Sequence, residues 1–296
     1  MPNAKAIQNR ISSIQDTMKI TNAMYMISSS KMQKARKTLE EALPFFEEQQ
    51  MAVAKMVETL DDLTSRFFGK EEIPEEEKKR GFFVVTADKG MAGAYTHNVL
   101  KLAEEAMAES ENNRLFVMGE LGRQYFTQRG IPIEENFHYT VDSPTLHRAR
   151  QIQEYLVDLY LQDELDEIYI IYTYMKNSFS MEPRKFCLLP LEKESFLEKN
   201  VNHETYHDIV TFTPSLRELL DHMVPSVVSG YIYGALVESF ASEQNSRMMS
   251  MQNATDNAKQ MLHDLGIEYN RVRQAAITQE ITEVIAGAKA QKGKKR

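Results

Sequence analysis

The sequence predicts an α/β protein with long helices: an antiparallel coiled coil of N- and C-terminal helices plus a Rossmann-like α/β domain. Three observations lead there. Apolar and small residues recur at alternating spacings of three and four along both ends of the chain. The middle instead alternates short β-rich runs with amphipathic runs of helix length. And 296 residues leave room for a domain of ordinary size between two such helices.

The first seam runs Ile7, Ile11, Ile14, Met18, Thr21, Tyr25, Ser28, Met32, Ala35, Leu39, Ala42 and Phe46, and its register continues through Val53, Met56, Leu60, Leu63 and Phe67. A repeat averaging 3.5 residues sustained this long reads as one helix over 1–68, of which roughly 60 residues would extend about 90 Å. Pro44 falls inside it and removes one backbone donor, which predicts a kink. Residues 69–80 hold Gly69, Pro74 and the run Glu75–Glu76–Glu77–Lys78–Lys79–Arg80, and read as a solvated linker.

Residues 81–213 read as the α/β domain. Phe82–Thr86 is a short strand, Leu100–Met107 a helix, Leu115–Met118 a strand, and Leu121–Gln128 a helix closed by Gly130. Leu146–Leu161 is helical, Ile168–Tyr174 is the strongest strand, and Arg184–Leu189 and Ile209–Thr213 are weaker ones. Strands alternating with helices imply a sheet of mainly parallel strands. Residues 214–296 repeat the opening pattern: Leu220, Met223, Val227, Gly230, Gly234, Val237, Ala241, Gln244, Met248, Met251, Thr255, Ala258, Leu262, Leu265, Tyr269, Val272 and Ala276. Gly230 and Gly234 suit a close approach of two helices, at a cost of about 1 kcal/mol each in helix propensity. The seam is diluted by polar and small residues, so the helices pair with one another and also offer a polar surface to something around them.

Composition excludes several classes. A net charge of −8 argues against a general nucleic-acid coat. One cysteine excludes an internal disulfide framework and a Cys-rich zinc site. No apolar run approaches the roughly 18 residues of a membrane span, and Met1–Arg10 lacks the apolar core of a signal peptide. The charge is unevenly placed. Met1–Lys37 carries +6, Gly287–Arg296 carries +5, and the remainder carries −19. Basic ends on an acidic body suggest a polar partner at the ends, against the plainer reading of a solvated helix face and a frayed tail.

Enzyme signatures are weak. There is no G-x-x-x-x-G-K-[ST] loop. Asp88–Ala94 is a glycine-rich turn between a strand and a helix. It could cradle a phosphate, but it lacks G-x-G-x-x-G spacing and reads more simply as a tight turn. His203 and His207 have helical metal-ligand spacing without the H-E-x-x-H pattern, so a metal site is disfavoured. Cys187 lies in an apolar run and reads as a core residue. No catalytic residue, cofactor or metal is predicted.

Two terminal motifs carry a family likeness. Lys19-Ile20-Thr21-Asn22-Ala23-Met24-Tyr25-Met26 with Ser28-Ser29-Ser30-Lys31-Met32 resembles the N-terminal signature of the γ subunit of F-type ATP synthase. Ser242-Glu243-Gln244, Arg247-Met248, Met251–Ala258 and Tyr269–Glu283 resemble its C-terminal signature, and Thr86–Gly93 resembles the turn after its first strand. The turn has Met91-Ala92 and Ala94 where the family commonly has Leu-Cys and a further glycine, and residues 287–296 extend past where many members stop.

The resemblance implies a non-catalytic rotor. It implies a coiled-coil shaft inside a ring of three α and three β subunits. It also implies an α/β domain that sits with the ε subunit on the membrane c-ring, and a rotor that couples ion flow (proton or sodium) through that ring to ATP synthesis or hydrolysis and helps regulate ATPase activity. It places Met26, Lys31, Lys34, Arg271, Gln274, Thr278 and Glu280 at the ring contact, with no cofactor, no nucleic acid and no direct membrane insertion. The lack of a transit peptide and of a plastid-type cysteine-bearing insert suggests a bacterial protein, for which the resemblance implies a peripheral place on the cytoplasmic side of the cell membrane. Two other readings compete: an enzyme using the Asp88–Ala94 turn, and a self-associating coiled-coil scaffold.

Overall fold

A computed structural model describes residues 4–59, 65–69, 73–177, 180–200 and 215–293. The His203/His207 pair, the expected strand Ile209–Thr213 and the last three basic residues lie outside them. In chain order the elements are α1 (Ala4–Thr59), β1 (Arg80–Val85), α2 (Tyr95–Met107), β2 (Asn113–Met118), α3 (Glu120–Gln128), α4 (Leu146–Leu161), β3 (Glu167–Asn177), β4 (Ser180–Leu189), α5 (Lys193–Asn200) and α6 (Leu216–Gly293).

The chain divides into two compact units: residues 1–27 with 248–296, and residues 28–247. In the first unit every seam residue of α1 is buried or half-buried, while the positions between them are almost all exposed. Its partner stripe on α6 is Met248, Met251, Thr255, Ala258, Leu262, Leu265, Tyr269 and Val272. The seam is polar where Thr21 and Thr255 meet, their hydroxyls 2.8 Å apart and buried. Beyond Val272 the helix is exposed on every side as far as Ala288, so Ala276 does not join the seam.

In the second unit β2-β1-β3-β4 form one mixed sheet. β1 pairs in parallel with β2 and β3, and β4 pairs antiparallel with β3. The parallel strands alternate strictly. Phe82, Val84, Leu115, Val117 and Ile171 meet α2 and α3 on one face, with Val99, Leu100, Ala103 and Phe126. Phe83, Val85, Phe116, Met118, Ile168 and Ile170 meet the other face, with Ile152 and Leu156 of α4 and Leu220 to Val237 of α6. Both faces are covered, as a parallel sheet requires. The α1–α6 pairing in this unit is antiparallel: Phe46 lies against Gly230 and Tyr233, and Gln49, about one turn further along α1, bonds Ser226.

Several expectations need correction. α1 runs through Pro44 and ends at Thr59, and Phe67 sits in a separate 3-10 turn, Arg66–Phe68, capped by Ser65. The buried Phe67 reaches the core from this turn rather than from the helical seam. Gly234 has open space where a Cβ would stand, so only Gly230 serves close approach. The expected linker is not wholly solvated. Lys78 and Arg80 are largely buried and hold Glu167 at 2.9 and 2.8 Å, with Glu75 bonded to both. β4 is longer than its weak signal indicated, and α5 had no sequence signal.

Candidate functional site

The glycine-rich turn after β1 is the natural place to look for a ligand. Its sheet changes direction there: the chain passes from β1 to β2 on one side and to β3 on the other. Open α/β sheets bind ligands in the crevice this creates at the strand ends. Here the crevice is occupied by α6 itself.

The turn is shaped by its own residues. Thr86 donates its hydroxyl to the Met118 carbonyl at 2.8 Å and accepts from the Gly122 amide at 3.2 Å. Gly119, at φ +100°, allows this approach, since a Cβ there would stand 2.5 Å from the Thr86 hydroxyl. The Asp88 carboxylate accepts from the amides of Glu120 (3.2 Å) and Val141 (2.8 Å), bracing α3 and the following loop against the turn.

Against this turn lies a buried polar stretch of α6. Arg247 donates to the carbonyls of Lys89 (3.0 Å) and Gly90 (3.1 Å), and Ser246 donates to that of Ala92 at 2.7 Å. Glu243, one helical turn before Arg247, holds the guanidinium at 2.5 Å, and both side chains are under one-tenth exposed. Burial pushes the Glu243 carboxyl up, and Arg247 opposes that shift. Ser239 meets the Tyr95 hydroxyl at 2.7 Å, and burial raises that phenol well above its ordinary range. On an adjacent face of α6, Ser242 donates to the Thr173 carbonyl (3.2 Å) and Glu238 accepts from the Met175 amide (3.3 Å), both in β3.

This chemistry decides what the turn can do. A phosphate cradle presents amide N–H groups. This turn presents carbonyl oxygens, and a guanidinium from the same chain satisfies them. The tight-turn reading of Asp88–Ala94 therefore stands over the phosphate-site reading. Among the described residues no group of three or more His, Cys, Asp or Glu is placed to hold a metal. Cys187 is half-buried, its thiol donating to the Leu189 carbonyl at 3.3 Å, and burial pushes its pKa up to about 12, the opposite of an activated nucleophile.

The residues assigned by resemblance lie on helix surfaces. Met26 is 68% exposed on α1, and Lys31 and Lys34 are exposed one to two turns further on. Lys31 pairs with Asp142 at 2.9 Å, a partner with no signal in the sequence. Arg271, Gln274, Thr278 and Glu280 are exposed on α6, where Thr278 donates its hydroxyl to the Gln274 carbonyl at 2.9 Å. The buried Glu243–Arg247 pair appears in the sequence only as part of a motif. Glu243 and Arg247 lie between the seam positions Ala241, Gln244 and Met248, so the heptad pattern gave no sign that they are buried.

Long terminal helices and a mixed sheet whose switch-point crevice is filled by α6 define the class: an α/β chain with coiled-coil ends. The family profile described as ATP synthase matches residues 3–291. The ATP synthase gamma chain of Ruminiclostridium cellulolyticum is 43% identical over 290 residues, covering 97% of this chain and 98% of that one. That of Acetivibrio thermocellus is 40% identical over 296 residues, covering 99% and 100%. The sodium ion specific gamma chain of Acetobacterium woodii is 35% identical, covering 97% and 98%. Among solved structures, a chain from the Euglena gracilis mitochondrial ATP synthase, OSCP/F1/c-ring, shares the fold with a TM-score of 0.64, at 14% identity and covering 99% of this chain and 96% of that one. A chain from the central stalk/c-ring of Tetrahymena thermophila mitochondrial ATP synthase gives 0.58 at 24% identity, covering 79% and 99%. This chain belongs to the ATP synthase gamma chain family. It is thus part of an ATP synthase complex, and among its described residues no helix is long and apolar enough to cross a membrane.

Proposed function

We propose that this chain is the non-catalytic shaft that turns inside a ring of three α and three β subunits, driven through its α/β portion by the c-ring, with ε beside it. Its working division is 1–68 and 214–296 as the shaft, 69–80 as the connection and 81–213 as the portion that takes up torque. Its place is peripheral, on the cytoplasmic side of a bacterial membrane. The observation that supports this most is the closure of the switch-point crevice by α6. The place where such a sheet would bind a substrate is used instead to fasten a long helix. Met26, Lys31, Lys34, Arg271, Gln274, Thr278 and Glu280 are the side chains we assign to the ring contact. Charge-assisted hydrogen bonds there, exchanged rather than kept, suit a surface that must move past successive partners.

Co-expression with the α and β subunits of the same complex tests this. The expected result is a co-purifying complex that hydrolyses ATP and rotates a probe attached to this chain. Specific nucleotide binding and turnover by the chain alone would favour the enzyme reading. Self-association with no affinity for α and β would favour the scaffold.

A further inference from the structure

The rotor reading raises a mechanical question that the fold answers. Torque taken up by the sheet must reach α6, and covalent connections alone are single chain segments with little torsional stiffness. Apolar packing holds α6 on the sheet, but its driving force is non-directional and side chains can repack around a turned helix. Directional hydrogen bonds add an angular constraint that repacking cannot replace.

We propose that the buried polar stretch Ser239–Arg247, with Glu238, is the key that locks α6 against rotation relative to the sheet. The inference rests on the rotor reading. Two adjoining stripes of the helix are engaged. Ser239, Glu243, Ser246 and Arg247 address the turn after β1 and Tyr95 at the start of α2. Glu238, Ser242 and Asn245 address β3 and Met181 of β4. A helix held on two sides of its circumference cannot turn without breaking both sets of bonds. The site is also dry: Ser239, Ser242, Glu243, Gln244 and Asn245 are at most 5% exposed. Water cannot replace a broken bond there, so slippage is costly. Directional groups in place of apolar ones sacrifice some packing energy and gain a fixed angle, which a rotor needs and a merely stable domain does not.

The test compares assembled complexes, normalised to the amount of ATP-hydrolysing enzyme. Glu243→Gln with Arg247→Met removes the buried charges together and leaves the turn carbonyls without their donor. Adding Ser246→Ala removes the remaining bond to the turn. The expected result is retained ATP hydrolysis with a fall of about twofold or more in ions pumped per ATP hydrolysed. The ratio should be partly restored in a variant that keeps Glu243 and carries Arg247→Lys in place of Arg247→Met. A structural role alone would lower the yield of complex and not this ratio, and an unchanged ratio overturns the proposal. If the triple variant fails to assemble, Ser246→Ala and Tyr95→Phe singly are measured by the angular spread of a probe fixed to the α/β portion of a stalled complex. A broader spread than wild type supports the key, and an equal spread overturns it. If wild-type chain forms no ATP-hydrolysing, pumping complex, the rotor reading itself fails.

Discussion

Phe46 and Gly230 show how closely single side chains are set. A Cβ on Gly230 would stand 2.5 Å from the Phe46 ring, and Phe46 is itself buried against Tyr233. Gly230→Ala should therefore destabilise the protein by about 1–3 kcal/mol through overpacking. Gly234→Ala meets nothing within 4 Å and should stabilise it by about 0.5–1 kcal/mol through helix propensity. Denaturant titration of both variants checks the opposite signs. Glu167 makes a second prediction. Burial raises its carboxyl, but hydrogen bonds from Lys78, Arg80 and Tyr169 outweigh that and hold it below its ordinary 4.5. A lowered carboxylate stabilises the fold above its ordinary pKa, and that contribution is lost as pH falls through the folded value. Glu167→Gln should thus destabilise the protein by about 1–3 kcal/mol at pH 7, with the difference from wild type shrinking once the pH falls below the ordinary carboxylate range. Equal losses at pH 7 and below that range would contradict this.

At the scale of elements, α6 passes through distinct environments along one continuous helix. Residues 227–237 are apolar except for Ser229 and buried almost all round, 239–247 are buried and polar except for Phe240 and Ala241, 248–272 bury one stripe, and 273–288 bury none. Helices without tertiary packing are marginal in water. Amide hydrogen exchange in the isolated chain should be slow over 227–247 and fast over 273–288. In the assembled complex, protection should appear over 273–288, and its absence would argue against burial of that end in a ring. The heptad seam made both long helices legible, because a 3.5-residue repeat has one structural meaning at such length. The buried polar stretch was not legible as a joint. A serine or glutamate on a helix has the same sequence signature whether it faces water or a turn more than a hundred residues away.

At the scale of the whole molecule, net charge is an average over basic ends and an acidic body. The assigned ring contacts are exposed, so their removal should leave the fold intact. Arg271→Ala with Gln274→Ala is expected to change unfolding stability by no more than about 0.5 kcal/mol while weakening the coupling of ATP hydrolysis to ion pumping. ATP-driven pumping at the wild-type rate in that double variant would remove those two residues from the contact.

The sequence by itself determined the class of the molecule: helical repeats at both ends, a strand–helix alternation between them, and terminal motifs specific enough to point to one family. These are local or periodic properties, carried by spacing alone. Tertiary structure decided how the pieces are fastened. It showed that Gly230 rather than Gly234 meets Phe46, that Lys78 and Arg80 leave the solvent to hold Glu167, and that Arg247 and Ser246 close the crevice where the turn after β1 would otherwise be open. Each is a pairing between residues far apart in the chain. Its free energy depends on burial and direction, neither of which exists until the chain has folded.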